Sequence, residues 1–432
     1  MTGGNESYPF PVTTPHPSPT RLIDPDAHRA SILTAVTALP SEALPLRSAL
    51  GRTLRIGVRA AVDIPVFDNS AMDGFAVRHH DVVLASPHAP VELTVVADLP
   101  AGTDHDPRLP PGTAARIMTG SPLPADADTI VPFEDTLGGL DDSLGTIRVM
   151  SAPRALGAHI RRIGEDVIRG DEIVEAGSAL GPLQLAAIAA AGVSQVVVSR
   201  PPHVVIVSTG SELVAPGEPL LHGQIPESNG TLLAGLVAET GAIVERRVVI
   251  PDDTLRLTAL IEELGTRREN DRIDAVIFSG GVSAGAHDVV KQTLSHALMF
   301  RQVGMQPGRP QAFGRLIDDC LAFGLPGNPV SVAVSFEVFV RPALLAMQGR
   351  AVIERPLITL TAARGWHTPA GRRQYLPVVI DRSDPRRWSV QPAMPRGSHR
   401  AGGLARADAY AVVPADVDVV DAGDLVDVML IE

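Results

Sequence analysis

Apolar positions along this chain follow two rhythms. Between His203 and Met347, a buried-strand run at Val204–Val207 and strands at Ile243–Val249, Ala275–Phe278 and Leu321–Phe323 alternate with helical patterns. The helices are expected at Thr231–Thr240, which Gly241 ends, and at Asp252–Leu264, Val289–Ser295 and Val330–Met347. Strands buried on both faces and separated by helices predict a parallel sheet with helices on each side. Elsewhere the runs are short and broken by Pro and Gly. Val91–Val96, Ala114–Met118, Thr129–Phe133 and Thr146–Met150 predict one small β-rich domain, and Leu357–Leu360, Tyr375–Ile380, Tyr410–Val413 and Leu425–Ile431 another.

The first of these is bracketed by a helical pattern after Arg21 (Ala27, Ile32, Leu33, Val36, Leu39) and by a helix from Pro182 to Ala191 with a strand at Val196–Val198. The expected fold class is therefore multidomain α/β plus β. Residues 1–20, with Pro9, Pro11, Pro15, Pro17 and Pro19, form a disordered lead-in. Residues 21–62 with 155–200 form a discontinuous linker domain, 63–154 a β-rich domain, 201–347 the α/β domain and 348–432 a C-terminal β domain.

Composition narrows what such a chain does. Its 432 residues are 45% hydrophobic and 20% charged, enough to bury several cores, and 39 Gly with 38 Pro imply many turns. A net charge of −12 argues against nucleic acid as a partner. The single Cys320 excludes an internal disulfide and a cysteine-based zinc cluster. The N-terminus has no signal pattern, and the uncharged stretch Ala176–Ser199 is interrupted by Gly181, Pro182, Gln184, Gly192 and Gln195, so no membrane partner is expected and the chain is read as cytoplasmic. Of 37 basic residues, Lys291 is the only lysine.

Candidate chemistry gathers where three strands run into loops of small residues: Ser208-Thr209-Gly210-Ser211-Glu212, Ser279-Gly280-Gly281-Val282-Ser283-Ala284-Gly285 and Gly324-Leu325-Pro326-Gly327-Asn328-Pro329. Open α/β sheets bind ligands beyond the carboxyl ends of their strands, where glycines admit a close backbone and N–H groups meet anions. Three such loops predict a phosphate or oxyanion site, although each alone is also an ordinary strand-to-helix turn. The G-x-G-x-x-G fingerprint and the P-loop Gly-Lys pair are both absent. Glu212, Glu227 and Asp288 stand beside the loops; carboxylates among anions suit Mg²⁺, and Asp288 would also cap the helix after it.

Seven segments carry a resemblance: Asp68–Val77, the Thr119 corner with Asp128–Glu134, Arg162–Asp166, Ser208–Leu213, Ser279–Lys291, Gln306–Gly314 and Gly324–Ser331. In order, they resemble the signatures of the MoeA/gephyrin family of molybdopterin molybdenumtransferases. The runs DNSAMDGFAV and GLPGNPVS are its most specific parts. The resemblance implies an elongated homodimer of four-domain subunits, with a MogA-like α/β domain at 201–347 and dimerisation through the linker domain. It implies the Mg²⁺-dependent insertion of molybdate into adenylylated molybdopterin, giving molybdenum cofactor and AMP. The active site would be composite, with Asp73 and Thr119 reaching it from the partner subunit. Glu212 and Asp288 would serve the Mg²⁺ and phosphate chemistry, and Arg309, Pro310, Ser331 and Arg372 would line the molybdate and pterin pocket. The upstream molybdopterin adenylyltransferase is an expected partner.

The chain departs from that pattern in places. Gln302, Gln306 and Arg309 stand where lysines are usual, Glu227 where an aspartate is, and Gly402-Gly403 where a Ser-Ser is, leaving Ser398 as the expected hydroxyl. Lys291, three residues after Asp288, is expected to neutralise charge at the site. Two other readings stand beside the enzyme. One is a gephyrin-like scaffold with the same fold. The other is a MogA-type nucleotidyltransferase, against which the β domains and the DNSAMDGFAV run speak.

Overall fold

The structure, a computed structural model, describes residues 22–139, 143–266, 272–282, 288–395 and 397–431. The lead-in expected over residues 1–20, and Ser283, lie outside them. The described residues form two compact units, one of residues 41–199 and one of those before 41 and after 199.

The first unit holds three cores. Two, around Phe75 and around Ile117, sit on a mixed six-stranded sheet in the order Thr129–Pro132, Gly74–Val77, Thr113–Ile117, Val91–Leu99, Thr146–Val149, Thr136–Leu137. Phe75 and Phe133 meet there edge to face, with ring centroids 5.2 Å apart. The other core joins chain segments far apart in sequence. Ser41–Pro45 pairs antiparallel with Gln195–Ser199, Val58–Arg59 pairs with Glu172–Val174, and the helix Pro182–Ala190 closes over Leu54, Leu180, Ile188 and Val198.

The helical pattern after Arg21 does not join that core. It forms the helix Pro25–Thr34 and packs in the second unit, where Ile32 is buried and His28 stands edge-on to Phe339 at 4.9 Å. The cause is the apolar surface offered by the helix carrying Phe339; Leu39 N also donates to Met347 O at 2.7 Å.

In the second unit the chain runs β1 (His203–Thr209), α1 (Asn229–Glu239), β2 (Ile243–Ile250), α2 (Thr254–Gly265), β3 (Ala275–Ser279), α3 (Val289–Leu294), β4 (Leu298–Gln302), β5 (Pro310–Arg315), β6 (Leu321–Leu325) and α4 (Pro329–Met347). The sheet order is β2-β1-β3-β6-β5-β4. The first four strands are parallel, as the apolar runs of β1, β3 and β6 predict, but β5 runs antiparallel to both of its neighbours, β6 and β4, which the sequence rhythm does not announce. β4 and β5 are short, β4 carries Arg301 and Gln302, and the Pro307-Gly308 turn between them reads as plain loop. α4 is long and apolar enough to span a membrane, but 89% of it is buried as the core helix, with a π-turn at Phe336–Val340.

The chain ends in a closed ring of strands. β7 (Leu357–Ala362), β8 (Arg373–Asp381), β9 (Ser389–Pro392), β10 (Ala409–Val413) and β11 (Leu425–Leu430) pair in the order β8-β9-β7-β11-β10, and β10 returns to β8. Met305–Gln306, from the turn between β4 and β5, pairs in parallel with Arg373–Gln374. The ring is thereby hydrogen-bonded to the segment that leads into β5. The buried Glu337 of α4 strengthens the α/β side, accepting from Arg355 Nε at 2.8 Å and Nη2 at 3.1 Å.

Candidate functional site

The carboxyl ends of β1, β3 and β6 open into one cavity of about 790 Å³. Side-chain volume is kept out where the loops meet. Gly280 has φ +94°, and a Cβ there would lie 2.7 Å from Thr209 O and 3.0 Å from Thr209 Oγ1. Only glycine allows the second loop to rest on the first at that distance.

Most of the expected residues meet in this cavity. Its wall includes Thr209, Gly210, Glu212, Glu227, Gly280, Gly281 and Asp288 together with Arg309, Pro310, Pro326, Gly327, Asn328, Ser331 and Ser398. Asp288 occupies the N-cap position of α3 and its side chain makes no capping hydrogen bond there. Asn328 Nδ2 donates to Ser398 Oγ at 3.0 Å, and Val330 N donates to Ser398 O at 3.1 Å, so the segment before β10 is fastened to the start of α4.

Other expected residues stand elsewhere. Ser211 is exposed and exchanges hydrogen bonds with Asp252, at 3.0 Å through its hydroxyl and 3.3 Å through its backbone N–H. Gly324 is buried inside β6, where its bare Cα faces Ala312 and Val282; its role is close packing of strands. Lys291 is exposed on α3 and does not line the cavity, although its backbone N–H donates to Gly281 O at 3.1 Å. Arg372 lines a second cavity of about 380 Å³ that shares Gln306, Pro307 and Ser398 with the first.

Asp73 and Thr119 lie in the first unit. Asp73 Oδ1 accepts from the backbone N–H and the hydroxyl of Thr119, both at 2.7 Å, and these bonds hold its carboxyl below the usual range. Nearby, Asp68 accepts from Arg162 Nη1 at 2.6 Å and from Ile163 N at 2.8 Å, so two distant sequence segments converge on one corner. The backbone bond from Ile163 is the main cause that lowers the Asp68 carboxyl.

The three carboxylates expected around a metal differ in state. Glu227 is buried, and its Oε1 already accepts from Ser208 Oγ at 2.9 Å and Gly230 N at 2.6 Å. Glu212 is exposed and Asp288 half-buried. Among the described residues no three His, Cys, Asp or Glu side chains gather closely enough to hold an ion alone. Asp288 and Glu212 fit the looser arrangement of Mg²⁺, in which one or two carboxylates act with substrate phosphates.

Sequence reasoning passed over Asn229. Its Nδ2 donates to Ser279 Oγ at 2.8 Å and to Gly327 O at 2.6 Å, tying the ends of β3 and β6 together. Among the described residues, Asn229 Oδ1 and Thr209 Oγ1 are buried without a hydrogen-bond partner, and both residues line the cavity. Such atoms cost free energy unless a ligand or water satisfies them. Gln311 was likewise missed: it is buried, and its Nε2 donates to Gly308 O and Ser335 Oγ, each at 2.7 Å.

Comparison with known proteins agrees along the chain. Residues 23–192 match the family region described as MoeA N-terminal region (domain I and II), residues 205–346 the "Probable molybdopterin binding domain", and residues 359–431 the MoeA C-terminal region (domain IV). A Mycobacterium tuberculosis protein named molybdopterin molybdenumtransferase 2 is 40% identical over 404 residues, covering 92% of this chain and 96% of its own. A molybdopterin molybdenumtransferase of Nostoc is 34% identical over 392 residues, covering 89% and 87%. The crystal structure of a molybdopterin biosynthesis MoeA protein from Pyrococcus horikoshii superposes with TM-score 0.79 at 28% identity, covering 95% of this chain and 100% of that one.

Proposed function

The chain belongs to the MoeA family, and on that premise we propose that it is a molybdopterin molybdenumtransferase. It joins molybdate to adenylylated molybdopterin in the cavity at the strand ends and releases molybdenum cofactor and AMP. The observation that carries this reading is the cavity itself. Its wall combines strand-end loops, the four carboxylates of Glu212, Glu227, Asp252 and Asp288, Arg309 and two orphaned polar atoms in one space of about 790 Å³. That volume suits a ligand with two anionic ends and a heterocycle.

The division of labour follows from charge. In a chain of net charge −12, anions must be held by local donors. The Gly210 and Gly280-Gly281 loops bring backbone close to a phosphate, Arg309 supplies a planar cation, and Ser331 and Ser398 supply hydroxyls. Asn229 Oδ1 and Thr209 Oγ1 would accept from donors on the substrate. Asp288 and Glu212 would hold Mg²⁺, which when bound neutralises phosphate charge. As water adds to the adenylate phosphorus, the anhydride P–O bond breaks, its bonding pair leaves on the molybdopterin phosphate, and the adenylate phosphorus carries the new oxygen away as AMP. A molybdate oxygen adding there instead would give an adenylyl molybdate that water then cleaves to AMP and molybdate.

The same reading assigns Asp73 and Thr119 to the cavity of a second copy in a homodimer, and a docking role toward the upstream adenylyltransferase in the cytoplasm. It is supported by the fixed Asp73–Thr119 pair, whose carboxyl stays ionised and oriented. Asp288→Asn tests the assignment: AMP release should fall about a hundredfold or more, the scale of losing a charged group at a phosphoryl-transfer site. Full AMP release by this variant would remove Asp288 from the chemistry.

A further inference from the structure

Gln306, Pro307 and Ser398 line both cavities, and Gln306 is the one bonded to Arg372. Gln306 lines the main cleft and the smaller chamber of about 380 Å³, whose other walls include Val330, Tyr375, Leu376 and Met394. Its Oε1 accepts a hydrogen bond from Arg372 Nη1 at 2.8 Å. The backbone around it is fixed from both sides. Met305–Gln306 pairs with Arg373–Gln374, and Arg373 N donates to Gly304 O at 2.9 Å. Two residues further on, Gly308 O is held by the buried Gln311 at 2.7 Å.

The partner of Arg372 is a neutral amide, where several arginines of this unit meet a carboxylate. Arg355 pairs with Glu337, Arg373 with Asp26 and Arg200 with Asp274, each at 2.8 Å, so each of those charges is neutralised. Among the described residues Arg372 forms no ion pair, and its partner Gln306 is neutral. A neutral acceptor orients the guanidinium fork by one of its donors and leaves the charge and the remaining donors for an anion.

We infer that Gln306 is a positioning residue: it tethers Arg372 uncompensated at the junction of the two cavities and so sets how tightly this chain holds its oxyanion substrate. The inference rests on the reading above, in which that oxyanion is molybdate. A glutamate at 306 would cancel the charge of Arg372, and a leucine would release the guanidinium from its tether.

Calorimetric titration of the full chain with molybdate alone, in the absence of turnover, tests this. Wild type, Gln306→Glu, Gln306→Leu, Arg372→Gln and the double variant Gln306→Leu/Arg372→Gln are compared, each after its thermal unfolding is checked against wild type. Gln306→Glu should weaken binding about tenfold or more and Gln306→Leu several-fold, as expected for loss or misplacement of a charge-assisted contact. The double variant should bind no more weakly than Arg372→Gln, because the amide acts only through the arginine. Unchanged binding in both Gln306 variants, or losses that add in full in the double variant, would overturn the role of Gln306. Wild-type protein that takes up no molybdate would instead overturn the functional reading, and this inference with it.

Discussion

Asp73 Oδ1 receives both the backbone N–H and the hydroxyl of Thr119, each at 2.7 Å, across a separation of 46 residues. These bonds favour the ionised carboxyl and lower its pKa. A depressed carboxylate pKa contributes stability that is present above its unfolded value and lost as pH falls through the folded one. Thr119→Val keeps the backbone donor and removes the hydroxyl. The Asp73 carboxyl should then titrate closer to its ordinary value in NMR, with a smaller loss of stability on acidification that is complete at higher pH. An unshifted titration would show that the hydroxyl does not hold the carboxylate.

Asn229 is the clearest addition to the site. Its amide ties Ser279 to Gly327, and its Oδ1 is left without a partner among the described residues. Asn229→Ala should lower AMP release about 10- to 100-fold, the rate equivalent of about 1–3 kcal/mol for groups left unsatisfied. Turnover equal to wild type would limit Asn229 to a dispensable loop contact.

Gly324 gives a prediction about stability. A Cβ on Gly324 would lie 2.7 Å from both Ala312 Cβ and Val282 Cγ1, inside a buried strand. Gly324→Ala should therefore destabilise the protein by about 1–3 kcal/mol through overpacking, seen as a lower urea midpoint. A midpoint equal to that of wild type would show that the strands can part at no cost.

The Glu337–Arg355 pair lies in a dry part of the second unit, with side-chain exposures of 2% and 13%. Removing Glu337 leaves Arg355 with the more distant, exposed Glu239 at 3.6 Å. Glu337→Leu should cost about 3–5 kcal/mol in chemical denaturation, whereas exchanging both partners for apolar residues should cost much less. Equal losses in the single and double variants would contradict this.

The parallel strands and the α/β helices were legible because their period and punctuation are strong: Val204–Val207 and Ala275–Phe278 became the middles of β1 and β3. The antiparallel strands β4 and β5 were not, since neither has the unbroken apolar run of a central strand and pairing direction leaves no trace in composition. The helix Pro25–Thr34 was legible as a helix but not in its placement, which depends on contact with Phe339 over 300 residues away. In the site, loop residues such as Gly280 announced themselves, whereas Asn229 and Gln311 act through bonds to distant segments that only folding brings near. Lys291 drew notice as the only lysine, yet its side chain stands exposed outside the cavity wall.

The central claim is that the cavity converts adenylylated molybdopterin. Purified full-length protein incubated with adenylylated molybdopterin, Mg²⁺ and molybdate, with AMP followed over time, tests it most directly. The account predicts AMP release that depends on molybdate and yields material able to reconstitute a molybdenum-dependent apoenzyme. Adenylylated molybdopterin that binds and is recovered intact, with no AMP formed, would contradict it and favour a scaffold that keeps the fold without the reaction.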